Sequence, residues 1–107
     1  MQTKKPKIFQ TEYTMTEKVF LYPGETANWH FVPITKKIGQ EIRLTYGKSN
    51  RGFGAVKVEV TIGKTTWLTS MFPDKYSGSY ILPLKAQVRR NEDIYAEDKI
   101  KFTIKLM

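Results

Sequence analysis

The chain has no cysteine, a single histidine and no apolar run longer than a few residues. Without thiols there is no disulfide, no thiolate metal site and no cysteine nucleophile. One imidazole does not build a conventional zinc site, and no other metal-ligand spacing stands out. The apolar runs fall far short of the ~20 residues that a membrane-spanning helix needs. The basic opening Met1-Gln2-Thr3-Lys4-Lys5-Pro6-Lys7 leads into mixed residues with no apolar segment of the kind a secretory signal carries. These absences set the expectation of a soluble cytoplasmic protein with no membrane partner, no metal and no cofactor.

What the chain does have is positive charge and alternating strands. Its 107 residues make one domain, 1–107, with a net charge of +8. A basic surface attracts phosphates from a distance, so nucleic acid or another anionic partner is one reading of that charge, and solubility alone is the other. Val56, Val58, Val60 and Ile62 alternate with Lys57, Glu59 and Thr61, which is the pattern of a half-buried strand. Ile100, Phe102, Ile104 and Leu106 alternate in the same way with Lys101, Thr103 and Lys105. Both apolar sets are expected to point into one core. Gly63-Lys64 marks a tight turn out of the first of these strands, and Thr66–Phe72 reads as its partner. Further strands are read at 8–15, 18–22, 29–32 and 80–82, with a loop over Pro73–Gly78.

One pattern occurs twice. Val32-Pro33-Ile34 with Ile38 corresponds to Leu82-Pro83-Leu84 with Val88 at a constant offset (83 − 33 = 50). In each copy a strand meets a proline that stops the ladder, and a short helix follows. Thr35 is the expected cap of the first helix, whose stripe is Ile38, Ile42 and Tyr46, and Asn91 the expected left-handed terminator of the second. Each copy then runs into one of the alternating strands. The fold class expected is mostly β: a small closed or double-split β-barrel with internal pseudo-twofold duplication and two short helices. Two copies that cover each other need no second molecule, so a monomer is expected.

The run Pro83-Leu84-Lys85-Ala86-Gln87-Val88-Arg89-Arg90 followed by Ile94-Tyr95-Ala96-Glu97-Asp98-Lys99-Ile100 resembles the half-barrel of AbrB/MazE-like swapped-hairpin proteins, which form their barrel from two chains and many of which bind DNA. Nearly the whole chain is similar to the small prokaryotic family DUF1905, a domain of unknown function. The similarity rests on Trp29-His30-Phe31-Val32-Pro33, Arg51-Gly52-Phe53-Gly54-Ala55-Val56-Lys57-Val58, Thr66-Trp67-Leu68-Thr69-Ser70-Met71-Phe72-Pro73 and the Leu82-Pro83 to Asp98 run. The family usually carries glycine in the turn before Asp98, where this chain has Glu97. The resemblance implies architecture and assigns no activity.

Motifs that carry chemistry are weak. Gly47-Lys48-Ser49 lacks the glycine that a phosphate loop places five residues earlier, where Ile42 stands, and a helix precedes it where a strand is required. Arg51–Val58 matches part of the RNA-recognition strand signature, but Ala55 replaces a ring that stacks on bases. No serine has an evident base, and Glu12, Glu41 and Glu59 are carboxylates whose convergence only a fold reveals. The acidic turns Glu92-Asp93 and Glu97-Asp98 lack a calcium-loop pattern and are expected to pair with Arg89, Arg90 and Lys99. The reading favoured is a non-enzymatic binding module of unknown ligand. One alternative is a nucleic-acid-binding protein whose basic face comprises Lys48, Arg51, Phe53, Arg89 and Arg90. Another is a small-molecule enzyme with a pocket near Trp29, His30 and Trp67.

Overall fold

In the computed structural model, which describes residues 11–23, 28–47 and 54–107, the alternating segments form a curled seven-stranded antiparallel sheet. The strands are β1 (Glu12–Lys18), β2 (Phe20–Pro23), β3 (Asn28–Pro33), β4 (Val56–Ile62), β5 (Thr65–Asp74), β6 (Ser79–Pro83) and β7 (Lys99–Leu106), in the spatial order β1-β7-β4-β5-β6-β3-β2. Helix α1 (Lys36–Ile42) follows β3 and continues into a wider turn over Arg43–Gly47, and α2 (Ala86–Glu92) follows β6. No helix among the described residues is long and apolar enough to cross a membrane.

One strand changes partner partway, and the chain changes partner again between β1 and β2. Thr65–Met71 of β5 pairs with β4, whereas Phe72–Asp74 pairs with β6. The first and last strands of the spatial order, β1 and β2, are consecutive in the chain and separated by Val19 alone. β1 pairs with β7 and β2 with β3. Val19 is fully buried at this bend, where its N–H donates to the Asp98 carbonyl and its carbonyl accepts from the Glu97 N–H, both at 2.8 Å. The break therefore falls at Val19 and not between residues 15 and 18, and Pro73 and Asp74 extend β5 instead of opening the loop.

All eight core positions expected from the two alternating strands are buried in one cluster, joined by Tyr13, Met15, Val32, Ile34, Leu82, Leu84 and Val88. Their register is fixed, because a one-residue slip would expose the whole set. The opposite face of β1, β7, β4 and β5 is mostly polar, the exposed Leu68 of β5 apart, with Thr14 and Thr103 sharing a hydroxyl hydrogen bond of 2.8 Å and Thr61 and Thr66 one of 2.9 Å.

The helices cover the strands that change partner. From the side of α1, Glu41 accepts from the Tyr13 hydroxyl at 3.1 Å. From α2, Glu92 accepts from the Thr65 hydroxyl at 2.6 Å and the Lys64 N–H at 3.2 Å. Thr35 precedes α1 but does not cap it, because its hydroxyl donates to Glu17 at 2.9 Å instead. The left-handed terminator of α2 is Asp93 (φ 57°), not Asn91, since the helix runs one residue past Asn91. Glu97 has φ 77°, in the left-handed region that favours glycine.

Two outcomes follow. Phe102, 1% exposed, should cost about 3–5 kcal/mol when cut to alanine, read as a shift of the urea midpoint, and a loss under about 1 kcal/mol would contradict its central place. At Glu97 the only ion pair is with Lys18 (3.3 Å, both ends well exposed), which contributes ~0–1 kcal/mol. Relief of left-handed strain, worth roughly 1–2 kcal/mol, outweighs that pair and the added freedom of the unfolded chain. Glu97→Gly should therefore raise the urea midpoint, and a lowered midpoint would contradict the strain.

Candidate functional site

The proline junction after β6 generates a polar concavity. Pro83 has no N–H to continue the ladder, so the next donor, the Leu84 N–H, reaches the His30 carbonyl at 2.9 Å. That bond sets the start of α2 beside the start of β3. A cleft of about 230 Å³ lies there, lined by His30 of β3, Arg89 and Arg90 of α2, and Asp93, Ile94 and Tyr95 just after the helix.

Each lining group is held by a local cause. The helical turn that buries Val88 leaves the next two residues, Arg89 half-buried and Arg90 exposed, on the cleft side. Arg89 donates from Nε to the Leu84 carbonyl at 3.1 Å, which fixes its stem and leaves the terminal nitrogens of its fork for another acceptor. Asp98 Oδ2 accepts from the Tyr95 N–H at 2.8 Å, closing the turn that carries the tyrosine. The Tyr95 phenol donates to Asp93, and this bond, with the charge of the carboxylate, raises its pKa above 10.0. The acidic turns thus find Lys18, Lys64, Thr65 and Tyr95 as partners, not the expected Arg89, Arg90 and Lys99.

His30 is half-buried, and its Nδ1 is shielded from solvent with no hydrogen-bond partner. Burial first, and then the nearby positive charge of Arg89, lower its pKa below 6.5. The imidazole is therefore neutral at pH 7, with one nitrogen unsatisfied, a state that costs about 1–3 kcal/mol in a protein interior. The cleft offers two guanidinium forks, a neutral imidazole and a phenol already committed to a carboxylate. That set suits holding an anion by charge-assisted hydrogen bonds.

The fold brings Arg89 and Arg90 together with His30, which sequence reasoning had assigned to separate sites. Lys48, Arg51 and Phe53 lie outside the described residues. Trp67 faces inward opposite Val60 and packs against the core. Trp29 stands on the outer face of β3, 59% exposed, its ring stacked on Phe31 at 6.5 Å. The two tryptophans thus lie on opposite faces of the curled sheet. The three carboxylates Glu12, Glu41 and Glu59 do not converge: Glu12 and Glu59 flank Lys105 on the polar face, while Glu41 is bonded to the inward Tyr13. Asp93 and Tyr95 were missed as lining groups, although their place just past the last turn of a basic helix was a usable signal.

With this geometry in place, comparison with known proteins gives one result. The family model described as a domain of unknown function (DUF1905) matches residues 17–104, and the chain belongs to that family. No curated protein matches it.

The titration of His30 tests the electrostatics of the cleft. A lowered pKa means that the unfolded chain takes up the proton first, so stability falls as pH drops below about 6.5, while His30 adds no pH dependence well above that value. Imidazole NMR should place the folded midpoint below 6.5, and Arg89→Ala should raise it partway, since burial is the larger cause. A midpoint at or above 6.5 in the parent protein would contradict this arrangement.

Proposed function

We propose that the chain is a duplicated, single-chain double-split barrel acting as a non-enzymatic binding module, whose ligand presents an anionic group to Arg89, Arg90 and His30. The duplication is supported by register. Val32 pairs with Leu82, its own counterpart at the offset of 50, with Phe31 opposite Pro83 and Pro33 opposite Ile81. Across β4 and β7, Val60 pairs with Ile104, again counterparts in the two alternating strands. The junction hydrogen bonds come in matched couples: Ile34 N–H to Tyr80 with Leu84 N–H to His30, and Gly39 N–H to Thr35 with Arg89 N–H to Lys85. β5 spans β4 and β6 as β1 and β2 together span β7 and β3.

The observation that carries the functional reading is the place where this symmetry fails. At the first junction Gly39 packs so closely on Ser79 that a Cβ there would overlap the serine hydroxyl, which itself donates to the Ile34 carbonyl at 2.8 Å. The counterparts of that pair, fifty positions on for Gly39 and fifty back for Ser79, are Arg89 and Trp29. Two small residues close the first junction, whereas at the second Arg89 lines an open cleft together with Arg90, Asp93 and an unsatisfied imidazole. The lining offers two guanidinium groups and an imidazole that can hold an anion by charge and hydrogen bonds, with the Asp93 carboxylate engaged by Tyr95. We assign the module to the cytoplasm, in keeping with its lack of cysteine.

Inorganic pyrophosphate followed by NMR tests the anion site. It should shift the His30 ring signals, bind more weakly as salt rises, and lose about tenfold or more in affinity in Arg90→Ala, whose exposed side chain is not needed for folding. Unshifted His30 signals at high pyrophosphate would overturn the reading. Closure within one chain predicts a single sedimenting species near 12.5 kDa at micromolar concentration, and a dimer that dissociates only on unfolding would contradict it.

A further inference from the structure

We infer that the outer face of β2, β3 and β6 is a stacking surface for the unpaired bases of a single-stranded nucleic acid whose phosphates reach Arg89 and Arg90; this rests on the anion cleft and names its ligand class. Strand alternation turns Val32 and Leu82 into the core, so their neighbours face the other way. Phe31 and Ile81 are buried yet lie outside the core cluster. Around them the register sets Phe20 opposite Phe31, Tyr22 opposite Trp29, and Phe72 opposite Ile81. The rings interlock: Phe20 and Trp29 stack on Phe31 at 5.9 and 6.5 Å, and Tyr22 meets it edge-on at 5.8 Å. Phe31 thus anchors a platform whose upper surface is Trp29, Tyr22 and Phe72, exposed by 59%, 47% and 42%.

A soluble chain does not leave three large rings on one face without use. A second copy of the chain is a poor occupant, since a stable dimer takes roughly 20–30 residues a side and this face supplies far fewer. Charge favours a polyanion. The chain carries +8, and the exposed Lys85 stands at the start of α2, just past the end of β6. Trp29 lies at the end of β3 where the Leu84 N–H bond to the His30 carbonyl brings up α2 with its two arginines. From Trp29 to Phe72 the strand spacings give about 16 Å, enough for more than one base. Aromatic rings accept any base, because every base has a π-face, and a basic groove beside them holds the backbone.

Fluorotryptophan-labelled protein tests this, because fluorine NMR resolves Trp29 from the inward Trp67 without any substitution. Short oligothymidylate and oligouridylate should shift the Trp29 signal and leave Trp67 in place. Trp29→Leu should lose about tenfold or more in affinity for them while binding pyrophosphate as before. Arg90→Ala should weaken oligonucleotide binding and flatten its salt dependence by roughly 0.7 in the log–log slope. Duplex DNA of the same length should bind more weakly, having no unpaired bases to stack. Equal binding of duplex, or a Trp29 signal that no single strand moves, overturns the stacking surface. If pyrophosphate still shifts His30 in that case, the anion cleft stands alone. Oligonucleotide binding that moves Trp29 but ignores both arginines overturns the cleft and the link between the two surfaces.

Discussion

The architecture depends on two prolines that stop the same strand pair from opposite directions. Pro33 and Pro83 each lack a backbone donor, and the register sets them across from Ile81 and Phe31 on either side of the Val32–Leu82 pair. Neither strand continues past its proline as a ladder, so the next N–H on each side makes one last bond and the chain turns into a helix. The two helices therefore begin at opposite ends of a short strand pair and lie across opposite strand edges. One is tied to β1 by the Tyr13–Glu41 hydrogen bond, the other to β5 by the Thr65–Glu92 hydrogen bond.

From the same constraint come two outer faces of different character. Where β1, β7, β4 and β5 lie side by side, outward positions carry threonine and lysine, and hydroxyl pairs tie neighbouring strands together. Where β2, β3 and β6 lie side by side, outward positions carry rings. Both belong to one curved sheet, because β5 and the bend at Val19 carry the chain from one region to the other. The cleft sits at the margin of the aromatic region, where α2 meets β3. The proposed ligand, with both negative charge and flat rings, is the one that would use both parts of that margin.

Much of the fold was legible because a period of two is a direct statement about sides. The valines of β4 and the apolar set of β7 could be assigned to the core from alternation alone, and Pro33 and Pro83 marked the junctions. The bend at Val19 was not legible: Tyr13, Met15 and Val19 keep one parity through it, and the change of partner leaves no mark in the pattern. Asn91 and Asp93 have similar tolerance of left-handed backbone, so propensity could not choose between them, while Glu97 was flagged by its departure from the family's glycine. For the site, composition pointed to Arg89 and Arg90, and the lone histidine drew notice by itself. Their meeting depends on the register of β3 against β6, which no local pattern encodes. The aromatic platform did leave a signal, since Phe20 with Tyr22 and Trp29 with Phe31 are spaced two apart on strands.

The proposed binding role turns on the two proline junctions, one packed tight by Gly39 against Ser79 and the other bordered by the cleft of His30, Arg89 and Arg90. Amide hydrogen exchange compares them within a single molecule, because the Ile34 and Leu84 N–H groups make matching bonds of the same length, 2.9 Å. The account predicts that Ile34 exchanges more slowly than Leu84 in the free protein, and that saturating oligothymidylate slows Leu84 while leaving Ile34 unchanged. Equal protection of the two amides, unaltered by that ligand, would contradict it.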